Sequence, residues 1–423
     1  MQAEIICIGT ELLLGEIVDT NAAFIAGRLA ELGIDLYYKA TVGDNLARIV
    51  GELRRAWERS RVIITSGGLG PTQDDLTREA IAALLGEELV VDPREVAKMR
   101  EFFARLGRTM TPNNERQAMF PPSASALPNP EGTAPGLMVE KDGRYLFALP
   151  GVPVELERMM RREVEPRLRA VTGAVPLFSR TLRLVGIGES AMAQAVADLI
   201  EEGRAPTVAP YAKRGETRLR LTVRAEDKDQ AARMIAPVEA EIRRRLGRHV
   251  FGADDDTLEA VVGALLLERG LTLATAESCT GGLIGHRLTS VPGSSAYYRG
   301  GVVAYDNAVK TGLLGVPEAV LASYGAVSEE TAARMAAGAR DRLGADVGLA
   351  TTGIAGPGGG TETKPVGLVY LALAAPDGTR VRRQQFPWDR SGNKEMAAQA
   401  ALAMVWEWAR GGDGEWRRAG VEE

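Results

Sequence analysis

The segment Leu271-Thr-Leu-Ala-Thr-Ala-Glu-Ser-Cys-Thr-Gly-Gly282 is the strongest indication of the fold of the C-terminal part of this chain. Its first five residues are strand-like, a loop of hydroxyl and glycine residues follows, and a helical pattern covers Gly282–Leu288. Two further strand candidates, Gly301–Tyr305 and Val347–Thr351, end in comparable loops. In an α/β sheet, loops at the carboxyl ends of parallel strands gather on one edge, where ligands bind. The sequence therefore predicts one site built from three loops.

The same pattern predicts the organisation of the whole chain, whose 423 residues are too many for one ordinary core. Residues 1–170 alternate strand and helix patterns, as in a parallel α/β sheet. Residues 171–252 contain a cleanly alternating strand, Thr217–Arg224, which indicates a small α+β module with a mainly antiparallel sheet. Residues 253–411 form a second α/β domain, and the polar tail at 412–423 is expected to be flexible.

Bulk properties exclude several classes of protein. A formal net charge of −5 argues against a bulk nucleic-acid binder, and no apolar run approaches the ~20 residues that span a bilayer. The cysteines, Cys7 and Cys279, follow no metal-binding spacing, so a reduced, cytoplasmic compartment is expected. The histidines are only His249 and His286, which disfavours a Ser-His-Asp triad or a multi-histidine metal centre.

The C-terminal loops contain the parts of a serine hydrolase without histidine. Ser295, in Pro292-Gly-Ser-Ser295, and Lys310 could form a nucleophile–base pair, for which the lysine must be desolvated and uncharged. Ser278 could orient the substrate or attack in place of Ser295. Cys279 is a third candidate nucleophile, but it has no suitably placed histidine partner.

Glycine and threonine residues in these loops suggest anion binding. Thr352 and the glycine amides after it, Gly353 among them, are candidates for an oxyanion hole. Gly281 and Gly282 would let the backbone approach an anion closely, so a phosphate-bearing substrate fits. Each signal alone is weak, because glycine pairs are usually turns and a lone lysine is usually solvated. The prediction of a site depends on the occurrence of all these residues together in the three loops.

A second constellation lies near the N-terminus. The loop Ser66-Gly-Gly-Leu-Gly-Pro-Thr-Gln-Asp-Asp75 follows a strand candidate and matches neither a Walker A loop nor a dinucleotide fingerprint. Its glycine amides could hold phosphate oxygens, and Asp74 and Asp75 could hold a hydrated divalent ion. Gly9-Thr-Glu11 and Asp19-Thr-Asn21 add oxygen ligands. The alternative is that the Asp74-Asp75 pair caps the helix that follows.

Residues 253–411 closely resemble the C-terminal domain of the CinA (competence/damage-inducible protein A) family. The matching stretches are Ala276–Gly282, Pro292–Ser295, Gly325–Ser328, Thr352–Pro357 and Lys364–Gly367. The resemblance implies hydrolysis of the amide of nicotinamide mononucleotide, without a cofactor, to nicotinate mononucleotide and ammonia. It implies Ser295 and Lys310 as the catalytic pair, Thr352 as a supporting hydroxyl, and Arg390 as a contact to the substrate phosphate or carboxamide. Tyr305 is a further candidate for substrate binding.

Residues 1–170 resemble the molybdopterin-binding fold, and within it the N-terminal domain of the CinA family. The loop at 66–75, Gly132-Thr-Ala-Pro-Gly136 and Leu149-Pro-Gly-Val-Pro153 carry the match. The resemblance implies cleavage of ADP-ribose to AMP and ribose 5-phosphate with a divalent metal, magnesium or cobalt. The candidate metal ligands are Asp74, Asp75 and Glu11, and the candidate phosphate and ribose contacts are Gly67, Gly68, Gly70 and Asn21. Molybdopterin binding by this domain remains an alternative.

Residues 171–252 resemble the KH-like module of the same family, and Arg218, Arg220 and Arg224 share one strand face. A working KH fold grips the nucleic-acid backbone through a Gly-x-x-Gly loop, which this segment lacks. A spacer or dimerisation role is therefore favoured over RNA binding. Our first hypothesis is a bifunctional enzyme of pyridine-nucleotide salvage, with a homodimer as the family expectation. The second is a nucleic-acid-linked adaptor with vestigial pockets.

Overall fold

The computed structural model of the chain describes residues 1–173, 175–201, 203–411 and 417–418. These divide into two compact units. One comprises Met1–Phe178 with Arg224–Ala231, and the other comprises Ser179–Val223 with the chain from Ala232 onward. The α/β fold class predicted from the sequence is confirmed.

The N-terminal unit is built on a mixed sheet. The strands are β1 (Gln2–Ile8), β2 (Asp35–Val42), β3 (Val62–Ser66), β4 (Val90–Val91), β5 (Met119–Phe120), β6 (Ala124–Leu127), β7 (Gly136–Lys141) and β8 (Arg144–Leu149). The helices are α1 (Thr10–Leu13), α2 (Thr20–Glu31), α3 (Leu46–Arg59), α4 (Thr77–Leu85), α5 (Pro93–Arg105), α6 (Pro153–Met159) and α7 (Glu165–Thr172), with a 3₁₀ segment at Pro112–Ala118 and a π-helical turn at Met160–Val164. The sheet order is β2-β1-β3-β8-β7-β6.

The first four strands of this order are parallel to one another. Strand β7 pairs antiparallel with β8, and β6 pairs antiparallel with β7. Strand β1 is apolar on both faces because helices cover both. Ile5 and Cys7 pack into one core cluster, while Ile6 and Ile8 pack into another on the opposite side. The carboxyl ends of β1 and β3 therefore lie side by side, and the loops that follow them share one edge of the sheet.

The middle segment forms a four-stranded sheet in the order β10-β11-β9-β12. Its elements are β9 (Leu177–Leu184), α8 (Glu189–Ala195), a 3₁₀ turn at Ala197–Leu199, β10 (Thr207–Lys213), β11 (Glu216–Arg224), α9 (Lys228–Leu246) and β12 (Val250–Ala253). The pairings β10–β11 and β9–β12 are antiparallel. Along β11, Leu219, Leu221 and Val223 are buried, as the alternating sequence predicts.

The last sheet has the order β14-β13-β15-β16-β17-β18. Its strands are β13 (Leu273–Glu277), β14 (Tyr298–Val303), β15 (Val347–Gly353), β16 (Leu368–Ala375), β17 (Gly378–Gln385) and β18 (Arg417–Arg418). The helices are α10 (Leu258–Glu268), α11 (Leu283–Thr289), α12 (Asn307–Gly312), α13 (Glu318–Tyr324), α14 (Glu329–Arg342) and α15 (Arg390–Ala409), and a 3₁₀ turn covers Ser294–Ala296. Strands β14, β13 and β15 are parallel, whereas β16, β17 and β18 are antiparallel.

Two sequence predictions remain, one for the C-terminal tail and one for membrane-spanning segments. The tail predicted at 412–423 lies outside the described residues, apart from the short strand β18. Among the helices that the structure describes, none combines the length and the apolar character needed to cross a bilayer.

Candidate functional site

The carboxyl ends of β13, β14 and β15 bring the predicted C-terminal loops to one edge of the sheet. The Ser278 N–H donates to the Thr351 carbonyl (2.9 Å), and the Ala304 N–H donates to the Glu277 carbonyl (2.8 Å). These two bonds join the first residues beyond the three parallel strands. The structure thereby places Ser278, the Ala304–Tyr305 backbone and Thr352 beside one another.

Lys310 lies beneath this edge and is only 1% exposed. Asp306 caps α12 by accepting the Ala308 N–H (2.7 Å), so the helix turns Lys310 back toward the end of β14. The Lys310 Nζ donates to the carbonyls of Ala304 (2.9 Å) and Tyr305 (3.1 Å), and within the described residues it forms no ion pair. Burial lowers the pKa of the amine below its ordinary value, against the opposing effect of Asp306 and Cys279.

Ser278 is the hydroxyl that the structure places at the same edge as Lys310. The residue is 8% exposed, and its carbonyl closes a tight turn by accepting the Gly281 N–H (3.2 Å). In the part of the chain that the structure describes, the Ser278 hydroxyl itself has no hydrogen-bond partner. By contrast, burial raises the pKa of the neighbouring Cys279 thiol to about 12. Cys279 is therefore a protonated thiol at neutral pH and a poor nucleophile.

The predicted pair of Ser295 and Lys310 does not form within one chain. Ser295 is exposed in the 3₁₀ turn that precedes β14, whereas Lys310 follows the other end of that strand. The six residues of β14, at roughly 3.3 Å each, separate the two ends by about 20 Å. The strand predicted at Gly301–Tyr305 begins three residues later than β14, although it too lies between Ser295 and Lys310.

The contacts of Thr352 and Gly353 bear on the predicted oxyanion hole. Thr352 is buried, and its hydroxyl donates to the Ala326 carbonyl (2.6 Å), so its hydrogen is unavailable to an oxyanion. It instead fixes the loop before α14. A Cβ at Gly353 would lie 2.6 Å from the Leu368 carbonyl, so this glycine permits the close approach of β16. The Thr352 hydroxyl therefore positions the site rather than donating to an oxyanion, whereas the role of the Gly353 amide in an oxyanion hole stays a prediction.

Arg390 and Tyr305, two predicted substrate contacts, do lie together. The Arg390 guanidinium donates to the Tyr305 hydroxyl (2.9 Å) and to the Gly356 carbonyl (2.7 Å). The backbone carbonyl of the same tyrosine accepts from Lys310. The start of α15 is thus joined to the loops after β14 and β15, and the exposed Arg390 stands at the mouth of the site.

A cavity of about 360 Å³ adjoins the Gly281–Gly282 turn. It is lined by Thr280, Gly281, Gly282, Leu283, His286, Ser391, Lys394 and Glu395. Gly281 (φ +62°) and Gly282 (φ +92°) adopt the left-handed conformation that favours glycine. The Lys394 Nζ lies 3.6 Å from the position of a Cβ on Gly281, and within the described residues it forms no ion pair. The cavity therefore presents a cation beside an open backbone turn.

Glu277 and Lys394 are site residues that the sequence analysis missed. The buried Glu277 carboxylate accepts the N–H groups of Ile284 (3.0 Å) and Gly285 (2.8 Å), which fixes the start of α11 against β13. Lys394 could have been found from its spacing, because it lies four residues after Arg390 and hence on the same helix face. Nothing in the local sequence distinguishes Glu277 from a surface glutamate.

The N-terminal unit holds a cavity of about 470 Å³ at the carboxyl ends of β1 and β3. Its lining includes every residue predicted for this site, namely Glu11, Asn21, Gly67, Gly68, Gly70, Asp74 and Asp75. Gly67 and Gly68 have positive φ angles of +102° and +66°. A Cβ on Gly67 would lie 2.2 Å from the Ile8 carbonyl, so this glycine is also required by the packing of the loop on β1.

Local contacts refine the roles of the polar residues in this cavity. The Asp75 carboxylate accepts the N–H (2.9 Å) and the hydroxyl of Thr72, so it stabilises its own turn. Helix α4 has Leu76 at its cap without a side-chain hydrogen bond, which excludes the capping role for Asp74 and Asp75. The Asn21 Nδ2 donates to the Ser66 hydroxyl (3.0 Å) and the Gly151 carbonyl (2.7 Å). Only its Oδ1 remains for a ligand.

The three predicted metal ligands line one cavity without forming a cage. Among the residues that the structure describes, no group of three or more His, Cys, Asp or Glu side chains converges as metal ligands do. Asp74 and Glu11 are exposed to the cavity, and Asp75 is partly engaged by Thr72. This donor set fits a magnesium-like ion that retains its waters and is held jointly by one or two carboxylates and substrate phosphates.

A buried arginine supports the glycine loop. Arg78, in the first turn of α4, donates to the carbonyls of Leu69 (2.9 Å) and Pro135 (3.3 Å), and burial lowers its pKa to about 10. Within the described residues it forms no ion pair. A positive charge without a paired carboxylate thus lies under the Gly67–Gly70 loop, where it favours the binding of an anion.

Comparisons with known proteins match three family models in succession along the chain. Residues 4–170 match the family model of a probable molybdopterin binding domain, residues 179–252 that of the damage-inducible protein CinA KH domain, and residues 255–408 that of the CinA C-terminal domain. A putative competence-damage inducible protein of Symbiobacterium thermophilum is 52% identical over 96% of this chain and 98% of its own length. A protein of Moorella thermoacetica with the same description is 51% identical over 96% and 98%. Among solved structures, the protein CinA of unknown function from Thermoplasma acidophilum is 38% identical, with a TM-score of 0.38 over 40% of this chain and 97% of that one.

Proposed function

The chain belongs to the CinA (competence/damage-inducible protein A) family, and we propose that its C-terminal domain hydrolyses the amide of nicotinamide mononucleotide. The products are nicotinate mononucleotide and ammonia. The observation that carries this proposal is the buried amine of Lys310, which lies at the same sheet edge as Ser278 and forms no ion pair with any residue that the structure describes. A lysine that is neutral near physiological pH can act as a general base.

In the proposed reaction the Ser278 Oγ attacks the carboxamide carbon while the Lys310 Nζ takes the hydroxyl proton. The tetrahedral intermediate then expels ammonia, which receives that proton from Lys310, and an ester remains on Ser278. Water attacks the ester, and its proton passes to Lys310 and then to the departing Ser278 oxygen. Nicotinate mononucleotide leaves, so one water is consumed for each ammonia released.

The glycine-lined cavity supports a phosphate-bearing substrate. Lys394 supplies a charge, and the Gly281–Gly282 turn allows a phosphate group to approach the main chain. Arg390, held by Tyr305 and Gly356, lies at the mouth of the same edge and can contact the phosphate or the carboxamide. The substrate would thus be anchored at its phosphate end, with the amide directed toward Ser278 and Lys310.

The pH dependence of ammonia release follows from the state of Lys310. Because the amine must be neutral to accept a proton, kcat should rise with pH and level off above the pKa of Lys310. Burial lowers the pKa of Lys310, so the rise should lie in the pH range below the ordinary lysine value. Initial rates of ammonia release at saturating nicotinamide mononucleotide test this. A rate that falls as pH rises through this range would show that a protonated group is required instead.

For the N-terminal domain we propose hydrolysis of ADP-ribose to AMP and ribose 5-phosphate. The support is the cavity that combines the Gly67–Gly70 loop, the buried Arg78 beneath it and the carboxylates Glu11, Asp74 and Asp75. The loop and the arginine would hold the diphosphate, and the carboxylates would hold the metal. When bound, a divalent metal supplies a polarised phosphoryl group and a more acidic water. The same cavity leaves molybdopterin binding as the alternative.

Removal of divalent metal should separate the two activities. EDTA should abolish AMP formation from ADP-ribose, because the bound metal supplies the polarised phosphoryl group and the more acidic water that hydrolysis requires. It should leave ammonia release from nicotinamide mononucleotide within about twofold, since Ser278 and Lys310 need no metal. AMP and nicotinate mononucleotide, the nucleotide products of the two reactions, are measured by chromatography in the same EDTA-treated preparation. The measurement is repeated after excess Mg²⁺ is added back. Equal loss of both activities would refute this division of labour.

The contacts of the arginines in the middle domain favour a scaffold role over nucleic-acid binding. Arg218 donates to the Glu216 carboxylate (2.6 Å), and Arg183 pairs with the same residue. Arg220 donates to the Ser179 hydroxyl (3.4 Å). The Glu216 carboxylate thus offsets part of the positive charge on this face, and all three arginines are engaged within the domain, which weakens the case for binding a phosphate backbone. An adaptor function therefore ranks behind the enzymatic one.

A further inference from the structure

Gln117 is a buried polar residue in the wall of the N-terminal cavity. It lies in the 3₁₀ segment Pro112–Ala118, is only 2% exposed and lines the cavity together with the Gly67–Gly70 loop. Its Oε1 is buried without a hydrogen-bond partner, and its Nε2 also has none within the described residues. A side-chain amide offers two acceptor sites and two donors, and buried amides are normally paired.

The segment around Gln117 is well fixed, so the unpaired amide does not reflect a loose loop. The adjacent Arg116 donates to the Thr72 carbonyl (2.7 Å) and to the Glu79 carboxylate (2.7 Å). These bonds attach the 3₁₀ segment to the glycine loop and to α4. Asn114, in the same segment, is also buried, but its amide donates to the Thr111 hydroxyl (2.7 Å). Gln117 therefore differs from Asn114, because its side-chain amide forms no hydrogen bond with the described residues.

We propose that Gln117 is a ligand-binding residue that contacts a sugar hydroxyl next to the diphosphate of a bound nucleotide. This inference rests on the function proposed for the N-terminal cavity. Arg116 holds Gln117 beside the loop expected to bind phosphate, and a sugar is the group that directly follows a phosphate in such a ligand. A hydroxyl both donates and accepts, which matches either orientation of the amide. The cost of burying the unpaired amide would then be offset only when the ligand is bound.

The test compares Gln117→Leu with Asn114→Leu. Leucine approximates the size of both side chains and removes the amide. If Gln117 is reserved for a ligand, Gln117→Leu should keep or raise the Tm of the free protein, whereas Asn114→Leu should lower it. Affinity is measured by calorimetry in metal-free buffer with ADP-ribose and with inorganic pyrophosphate. Gln117→Leu should weaken ADP-ribose binding about tenfold or more and leave pyrophosphate binding within about twofold.

Each other outcome overturns the inference in a distinct way. A Tm that falls as far for Gln117→Leu as for Asn114→Leu would make Gln117 a structural residue, paired through an ordered water. If Gln117→Leu weakened the binding of ADP-ribose and of pyrophosphate equally, Gln117 would contact the phosphates rather than the sugar. If Gln117→Leu left the affinity for ADP-ribose unchanged, Gln117 would not contact the bound ligand. If the unaltered protein binds ADP-ribose neither in metal-free buffer nor with Mg²⁺ present, the function proposed for the cavity fails first, and this inference fails with it.

Discussion

Replacing Lys310 with methionine should lower kcat for ammonia release from nicotinamide mononucleotide by about a thousandfold or more. A positioned general base contributes about 10²–10⁴ in rate, and the proposed reaction uses Lys310 in both of its halves. Methionine nearly matches the unbranched shape of lysine but cannot accept a proton. The binding of nicotinamide mononucleotide should change little, because the cavity beside Gly281 and Lys394 is untouched.

The fold should survive this substitution, which makes the kinetic result interpretable. Lys310 is buried and has no ion pair among the described residues, so methionine removes a polar group whose burial is unfavourable. The Tm of Lys310→Met should therefore equal or exceed that of the unaltered protein. The matched control is Lys213→Met, which removes the same charge from an exposed position on β10. If Lys310→Met retains kcat within about tenfold, Lys310 is not the base.

Ser278→Ala should abolish ammonia release to a similar extent, whereas Ser295→Ala should retain most of it. Ser278 is at the sheet edge that holds Lys310, and loss of a serine nucleophile removes the covalent route altogether. Ser295 is exposed at the opposite end of β14, so its loss should change kcat by less than about threefold. Steady-state ammonia assays on the two variants, which delete the same atom, provide the comparison.

The reverse result would be informative. If Ser295→Ala were inactive and Ser278→Ala active, a serine about 20 Å from Lys310 along the strand would be required for catalysis. That result would contradict the arrangement proposed for a single chain. It would also require the reacting hydroxyl to come from a second copy of the protein.

Much of the fold was predictable because its signals are local. The alternation of Leu219, Leu221 and Val223 identified β11, and the helix at Thr20–Glu31 begins at the polar cap Asp19, which accepts the Ala22 N–H. Strand β14 was placed too late because Tyr298-Arg-Gly-Gly301 has little strand character. The predicted strand already lay between Ser295 and Lys310, but the five residues left between Ser295 and that strand concealed how directly Ser295 precedes it.

The chemistry of the sites was less predictable because it depends on contacts between distant residues. The burial of Lys310 follows from carbonyls at the end of β14 and from a short helix, where sequence favours a solvated lysine. The engagement of Thr352 depends on Ala326 in another loop. Gln117 belongs to no motif, and its burial without a hydrogen-bond partner among the described residues arises only when the 3₁₀ segment packs against the cavity.

The decisive experiment is to incubate the protein with nicotinamide mononucleotide and separate the products. We expect nicotinate mononucleotide and ammonia in equal amounts, formed in the presence of EDTA and at a rate that increases as the solution is made more alkaline. Release of free nicotinamide would mean that the glycosidic bond is cleaved instead of the amide. Either that result or unchanged nucleotide after prolonged incubation would contradict the account.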